Sequence, residues 1–86
     1  SVDVLSSVPQ GLAMADTSPL IALGARIRYL RREMGLSQES FAGRSGFDRT
    51  YVSLVERGRR NPSFTNLHKF ATSLGVTLSE LVDGVK

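Results

Sequence analysis

Hydrophobic residues change their spacing along the chain at residue 20. From there apolar positions recur at alternating steps of three and four, with arginines between them: Leu20, Leu23, Ile27, Leu30 and Met34. This period places the apolar side chains on one face of an α-helix. Residues 1–18 mix serine, proline, glycine and aspartate without a sustained period, so they predict an arm that is either flexible or docked on the folded part.

Capping residues divide the remainder of the chain into four shorter helices. Ser37, Asp48 and Ser63 each stand where a helix N-cap is expected, and Thr77 with Glu80 forms the pattern of a capping box. A glycine follows each of the first four segments and provides the left-handed residue at which many helices end. These signals predict helices over residues 20–34, 38–44, 48–57, 64–74 and 78–82.

The fold class indicated by these helices is all-α, a compact five-helix domain over residues 19–86 that follows the arm. No segment shows the strict alternation typical of a strand. Within the fourth helix, the positions predicted to face inward are Phe64, Leu67, Phe70, Ala71 and Leu74.

Composition limits the chemistry available to a chain of 86 residues, which is one domain at most. Cysteine is absent, His68 is the only histidine, and no nucleophile stands beside a base or within a glycine-rich phosphate loop. We therefore expect no metal, no cofactor, no small-molecule ligand and no enzymatic activity. The longest uncharged run, residues 4–15, is too short for a membrane helix, and no export signal precedes it, so a cytoplasmic location is expected.

Positive charge is concentrated in the middle of the chain. Nine arginines stand against four acidic residues between positions 26 and 60, although the net charge of the whole chain is only +3. Arginine makes bidentate contacts with phosphates and with guanine edges, so this distribution favours a nucleic acid as the partner. RNA is not favoured, because no aromatic stacking platform alternates with the basic residues.

The second and third helices are joined by a very short turn with a demanding pattern. Counting Gln38 as the first position, Ala42 is fifth, Gly46 ninth, Val52 fifteenth and Val55 eighteenth. Two helices that meet at a steep angle need a small residue where they touch, a turn residue that tolerates positive φ, and branched apolar anchors on the second helix. The sequence meets each requirement. Its mild departure is a serine, at position 45, where an apolar residue is frequent.

The same stretch carries a family resemblance. The segment Ser37-Gln38-Glu39, the small residues Ala42 and Gly46, and the run from Thr50 to Ser63 resemble the lambda-repressor-like (Cro/C1, or XRE) helix-turn-helix family over residues 20–83. Within that family, the run 48–51 is similar to restriction-modification controller proteins. The resemblance implies a DNA-binding regulator with Gln38 on a phosphate. It also implies a structural, buried ion pair between Arg31 and Glu56.

The third helix separates into a buried stripe and an outward stripe. The outward side chains are Arg49, Thr50, Ser53, Leu54 and Arg57. Such a helix fits the major groove, where Arg49 can meet guanine, the two hydroxyls can donate or accept, and Leu54 can meet a thymine methyl. Two alternatives stay open: Arg49 could instead bind a phosphate, and Leu54 could instead fill a gap in the core.

Other polar positions are expected to grip the DNA backbone, which supplies affinity and register without sequence information. These candidate phosphate contacts are Gln38, Arg44, Arg57, Arg59 and Arg60. A single short reading helix buries little surface, so we expect a homodimer on two symmetric half-sites of a palindromic operator. Apolar candidates for the dimer interface are Leu78, Leu81, Val82 and Val85, and the first two could equally close the core of the monomer.

The sequence thus predicts a sequence-specific regulator of transcription that binds double-stranded DNA and occludes or recruits polymerase. Two other functions use the same scaffold. The first is a protein-interaction module, which would carry acidic or bulky apolar residues on the outward stripe. The second is the DNA-binding part of an antitoxin, in which the arm would wrap a toxin.

Overall fold

The computed structural model describes residues 18–85, and within that range it contains five helices and no strand. The helices are α1 (Pro19–Glu33), α2 (Gln38–Ser45), α3 (Arg49–Glu56), α4 (Phe64–Leu74) and α5 (Leu78–Leu81). The predicted all-α class is confirmed, and the predicted helix ends differ from these bounds by one residue in most cases. The proposed arm, except Ser18, lies outside the described residues.

Side-chain caps fix where the helices begin. Ser37, Asp48 and Ser63 each accept a hydrogen bond from a backbone N–H two or three residues ahead, at 2.9–3.1 Å. Thr77 accepts from the N–H of Glu80, whose carboxylate in turn accepts from the N–H of Thr77. Each predicted cap is therefore confirmed. These bonds satisfy N–H groups that the first turn of a helix leaves without a partner.

One core lies between the helices. It is formed by the buried side chains Leu23, Ile27, Phe41, Ala42, Val52, Val55, Phe70, Ala71, Leu74 and Leu81. The rings of Phe41 and Phe70 stack at its centre, with centroids 5.8 Å apart. α1, α2 and α4 each contribute side chains to this core, so Val52 and Val55 of α3 are packed from several directions.

α1 and α3 approach each other closely at Gly24. A Cβ atom added there would lie 2.4 Å from the carbonyl oxygen of Glu56 and 2.5 Å from that of Val55. Only glycine allows two backbones to come this near. The absence of a side chain at this residue therefore sets how closely the first helix holds the end of α3.

The prediction that Phe64 faces the core is wrong, since this residue is 70% exposed. It is the first residue of α4, and its ring lies beside that of His68, with centroids 6.4 Å apart. Helical period identifies a face of a helix, but it does not show how far along the helix the neighbouring elements reach. The core begins one turn further on, with Leu67 and Phe70.

For Leu81, the predicted role in a dimer interface is wrong and the alternative that it closes the core of the monomer is confirmed, because this side chain is fully buried. α5 has only four residues, so one inward side chain must seal the core beneath α4. Leu78, Val82 and Val85 pack against that core but stay partly exposed.

Candidate nucleic-acid interface

One side of α3 packs against the core, and the opposite side faces solvent. Val52 and Val55 are buried, while Arg49 and Thr50 are exposed and Ser53 is partly exposed. The eight residues of α3 extend about 12 Å at the helical rise of 1.5 Å per residue, enough to follow one segment of a major groove. The helix therefore presents a row of hydrogen-bonding groups on a rigid support.

Leu54 lies between the two sides of α3. It is partly buried, yet it does not belong to the partly buried apolar side chains that pack against the core. This placement disfavours the alternative in which Leu54 fills a gap in the core. Its side chain borders the exposed polar row instead.

A buried ion pair ties α1 to the end of α3. Arg31 donates from Nε to Glu56 Oε2 at 2.6 Å and from Nη2 to Oε1 at 3.0 Å, a bidentate arrangement. Its Nη1 donates to the carbonyl oxygen of Leu36 at 2.6 Å. The residues Arg31 and Glu56 are only 5% and 7% exposed. Because both charges are paired and hydrogen-bonded, the geometry between α1, α3 and the start of α2 is strongly restrained.

Gln38 extends this network to the outward side of α3. Its Nε2 donates to Glu56 Oε1 at 3.1 Å, and its Oε1 lies 3.5 Å from Nη1 of Arg49. The structure thus brings Gln38, expected on a phosphate, next to Arg49, expected on a base. Gln38 is the first residue of α2, where free N–H groups also favour an anion.

Ser45 stabilises the turn between α2 and α3. Its hydroxyl donates to the carbonyl oxygen of Phe41 at 2.8 Å and accepts from the N–H of Phe47 at 3.4 Å. Gly46 then takes a left-handed conformation with φ of 81°. A polar residue at this usually apolar position is therefore used for hydrogen bonds, and the turn keeps its geometry.

The loop after α3 carries exposed arginines. Arg57, Arg59 and Arg60 are exposed, and the guanidinium carbon of Arg60 lies 5.9 Å from the centroid of the Tyr51 ring. The hydroxyl of Tyr51 accepts a hydrogen bond from Asn66 Nδ2 at 3.1 Å. Tyr51 therefore links this loop to the start of α4.

Two more exposed arginines lie at the ends of α1 and α2. Arg44 is exposed in the last turn of α2. Arg32, which the sequence did not place among the candidate contacts, is exposed at the end of α1. It shares an open cleft whose lining is Arg31, Arg32, Ser37, Gln38, Glu39 and Arg49. The signal for Arg32 was its place at the end of α1, just before the loop that leads to Gln38 at the start of α2.

The described part of the chain contains no group of three or more histidine, aspartate or glutamate side chains that could hold a metal ion. His68 is exposed on α4, beside Phe64. None of the helices in residues 18–85 has the length and apolar character needed to span a membrane.

Known proteins resemble this chain over its helical region. Residues 27–81 match the model of a family described as helix-turn-helix. The control protein C.MunI from a Mycoplasma species is 48% identical over 67 residues, which span 77% of this chain and 90% of that protein. The crystal structure of the restriction-modification controller protein C.AhdI from Aeromonas hydrophila is 51% identical with a TM-score of 0.71, and the match covers 78% of this chain and 97% of the other.

A second similar structure contains DNA. It is the restriction-modification controller protein C.Esp1396I, a tetramer in complex with its natural 35 base-pair operator. It is 32% identical to this chain with a TM-score of 0.69, and the match covers 76% of this chain and 90% of that one. On the strength of the family match and these relatives, the chain belongs to the helix-turn-helix family of DNA-binding regulators, in its lambda-repressor-like (Cro/C1) branch.

Proposed function

We propose that this protein is a transcriptional regulator that binds double-stranded DNA and reads a two-fold symmetric operator through α3. The observation that carries the proposal is the two-sided environment of this helix. Val52 and Val55 fix it to the core, whereas Arg49 and Thr50 are free to meet another molecule. A protein-interaction module would need acidic or bulky apolar residues there, so the exposed polar row argues against that alternative.

Base reading is assigned to four side chains of α3. Arg49 makes a bidentate contact with O6 and N7 of a guanine, Thr50 and Ser53 bond base edges, and Leu54 meets a thymine methyl. The exposure of the first two and the position of Leu54 outside the core support these roles. All four side chains lie in the first two turns of α3, the part of a recognition helix that contacts bases in the major groove.

Contacts to the DNA backbone are assigned to side chains around α3. One is Arg44, in the last turn of α2, and three follow α3: Arg57, Arg59 and Arg60. The fifth is Gln38, which contributes its side-chain amide together with the N-terminal N–H groups of α2. The four arginines are exposed and Gln38 is partly exposed, which supports these roles. Such contacts fix orientation on the duplex and give affinity that falls as salt rises.

A homodimer provides the second reading helix. Two half-sites whose centres lie about 34–36 Å apart place both copies of α3 in successive turns of the major groove. Leu78, Val82 and Val85 lie together at the C-terminal end and stay partly exposed, which supports this surface as the dimer interface. In this proposal residues 19–86 form the DNA-binding domain and residues 1–18 an extension. The relatives named above come from bacteria, whose DNA lies in the cytoplasm, and this supports a cytoplasmic location for the protein.

Selection of genomic fragments with the purified protein tests the proposal. We expect enrichment of a sequence with two-fold symmetry, located upstream of the genes that are regulated. The Arg49→Ala variant is the matched control and should lose preference at one base pair in each half-site. Absence of any enriched sequence, or enrichment of a site without symmetry, would contradict operator reading by a dimer.

A further inference from the structure

Arg26 joins the first helix to the last one. From α1, its Nη2 and Nε donate to the backbone carbonyl oxygen of Glu80 in α5, at 2.9 and 3.3 Å. We propose that Arg26 is a positioning residue, which by holding α5 sets the distance between the two reading helices of the dimer. That distance determines which spacing of half-sites the protein accepts. This inference rests on the proposed function and adds what fixes the spacing of the operator.

α5 is held weakly by its side chains alone. It has four residues, and Leu81 is its one buried side chain, whereas Leu78 and the following Val82 stay partly exposed. A helix anchored at one point can still tilt about that point. The carbonyl groups in the last turn of a helix lack partners within it, and an arginine can supply donors to them. Because Arg26 does so from another helix, α5 is also attached through its backbone.

α1 also holds the end of α3. Arg31, five residues after Arg26, forms the buried ion pair with Glu56, the last residue of α3. Five residues span only about 7.5 Å along a helix. Near these residues, Gly24 lets the backbones of α1 and α3 touch. One helix therefore carries both the support of the reading helix and the support of α5.

The angle of α5 matters because the proposed dimer surface lies on it and directly after it. The side chains of that surface are Leu78, Val82 and Val85. In a two-fold dimer, a tilt of this surface in each subunit turns both reading helices relative to the symmetry axis. With half-sites about 34–36 Å apart, each reading helix lies about 17 Å from the axis, and a turn of about 10° moves it by about 3 Å, close to the rise of one base pair. A small tilt of α5 is therefore enough to change which spacing is bound.

Control of spacing differs in its effects from a contact with DNA. Loss of a phosphate contact weakens binding to every duplex alike, and loss of a base contact relaxes preference at one base pair within the half-site. Arg26 has neither role in this proposal. Its loss should leave each half-site read as before and weaken the preference for one distance between the half-sites.

The test replaces Arg26 by methionine, which keeps an apolar stem and removes the donors. Binding of the full chain is measured to the operator selected by the wild type and to operators with one base pair inserted or deleted between the half-sites. Arg26→Met should lower the preference for the selected spacing about two- to tenfold and leave preference at each base pair unchanged. Arg26→Lys, which keeps the charge and a donor group, should restore part of the preference. Arg28→Met, on an exposed part of the same helix, is the matched control and should retain the wild-type preference.

Three results would overturn the positioning role of Arg26. They are an unchanged spacing preference in Arg26→Met, a uniform loss of affinity in place of a lower spacing preference, and a lysine variant that behaves like the methionine variant. A wild type that selects no operator would instead overturn the proposed function.

Amide hydrogen exchange of the free protein decides on Arg26 without DNA. The N–H groups of Leu81 and Val82 donate within α5 and its cap, and that of Val52 donates at the start of α3. In Arg26→Met the two amides of α5 should exchange about two- to tenfold faster than in the wild type, because the helix is less restrained, while that of Val52 keeps its rate. Equal exchange of the α5 amides in both proteins would refute the proposal.

Discussion

Replacement of Gly24 by alanine tests the close packing of α1 on α3. The added Cβ would lie 2.4 and 2.5 Å from two backbone oxygens of α3, whereas ordinary contacts lie at 3.4–4 Å. Neither oxygen can rotate away, so the two helices must separate by about 1 Å to restore ordinary contact. That movement would also strain the ion pair between Arg31 and Glu56, which spans the same two helices.

The expected magnitude follows from two opposing effects. Overpacking of a tight contact costs about 1–3 kcal/mol, while alanine in a helix interior gains about 0.8–1 kcal/mol over glycine. Gly43 separates the two effects, because it lies within α2 and nothing lies within 4 Å of a Cβ added there. Gly43→Ala should therefore stabilise the domain by about the helical gain alone.

Urea unfolding followed by circular dichroism measures both variants against the wild type. We expect Gly24→Ala to be less stable than Gly43→Ala by about 1–3 kcal/mol, since the helical gain is common to both. At about 4–8 °C per kcal/mol for a domain of this size, the two melting temperatures should differ by at least a few degrees. Equal stability of the two variants would show that the contact at Gly24 is not tight in solution.

Five more substitutions test the ion pair, the two kinds of DNA contact and the dimer surface. Glu56→Ala leaves its arginine partner buried without a counter-charge, and unfolding should show a loss of about 3–5 kcal/mol; a loss below about 1 kcal/mol would mean that water reaches the site. Arg49→Ala should relax preference at one base, whereas Arg59→Ala should weaken all duplexes alike and flatten the salt dependence by about one, as titrations at several salt concentrations would show. Val85→Asp should produce folded monomers in light scattering, while Leu81→Asp should unfold the chain in circular dichroism; a folded dimer of Val85→Asp would move the interface elsewhere.

Helix boundaries could be predicted from the sequence because the interactions that set them are local. Ser37 and Ser63 act on N–H groups three residues ahead, and Thr77 and Glu80 satisfy each other across the same distance. The buried and exposed sides of α3 could also be predicted, because the spacing of Val52 and Val55 defines the buried face of the helix. Such features need no knowledge of the other helices.

The errors arise where a neighbouring element decides the outcome. Phe64 continues the apolar stripe of α4, but no part of the core reaches its turn of the helix. For Leu81 the sequence left a dimer surface and the core of the monomer equally open, and α5 is so short that this side chain is needed inside the monomer. Both depend on the lengths and meeting points of elements, which periodicity does not specify.

The sequence identified the residues of the candidate site, but it did not indicate the hydrogen bonds that join their side chains. The resemblance to a known family indicated Gln38 for a phosphate and Glu56 for an ion pair. It did not indicate that these two side chains, 18 residues apart, bond each other. The bond to Arg49 likewise depends on the angle between α2 and α3. Side-chain networks of this kind follow from tertiary geometry, so no spacing rule reveals them.

The ring of Tyr51 has a consequence for the loop after α3. The guanidinium of Arg60 lies over this ring, and the hydroxyl on its far end is bonded to Asn66. A long side chain that already rests on a surface has fewer rotamers to lose when it is immobilised, a saving of about 0.5–1.5 kcal/mol. In the proposed complex, in which Arg60 contacts a DNA phosphate, Tyr51 would therefore lower the entropic cost of binding without touching the DNA itself.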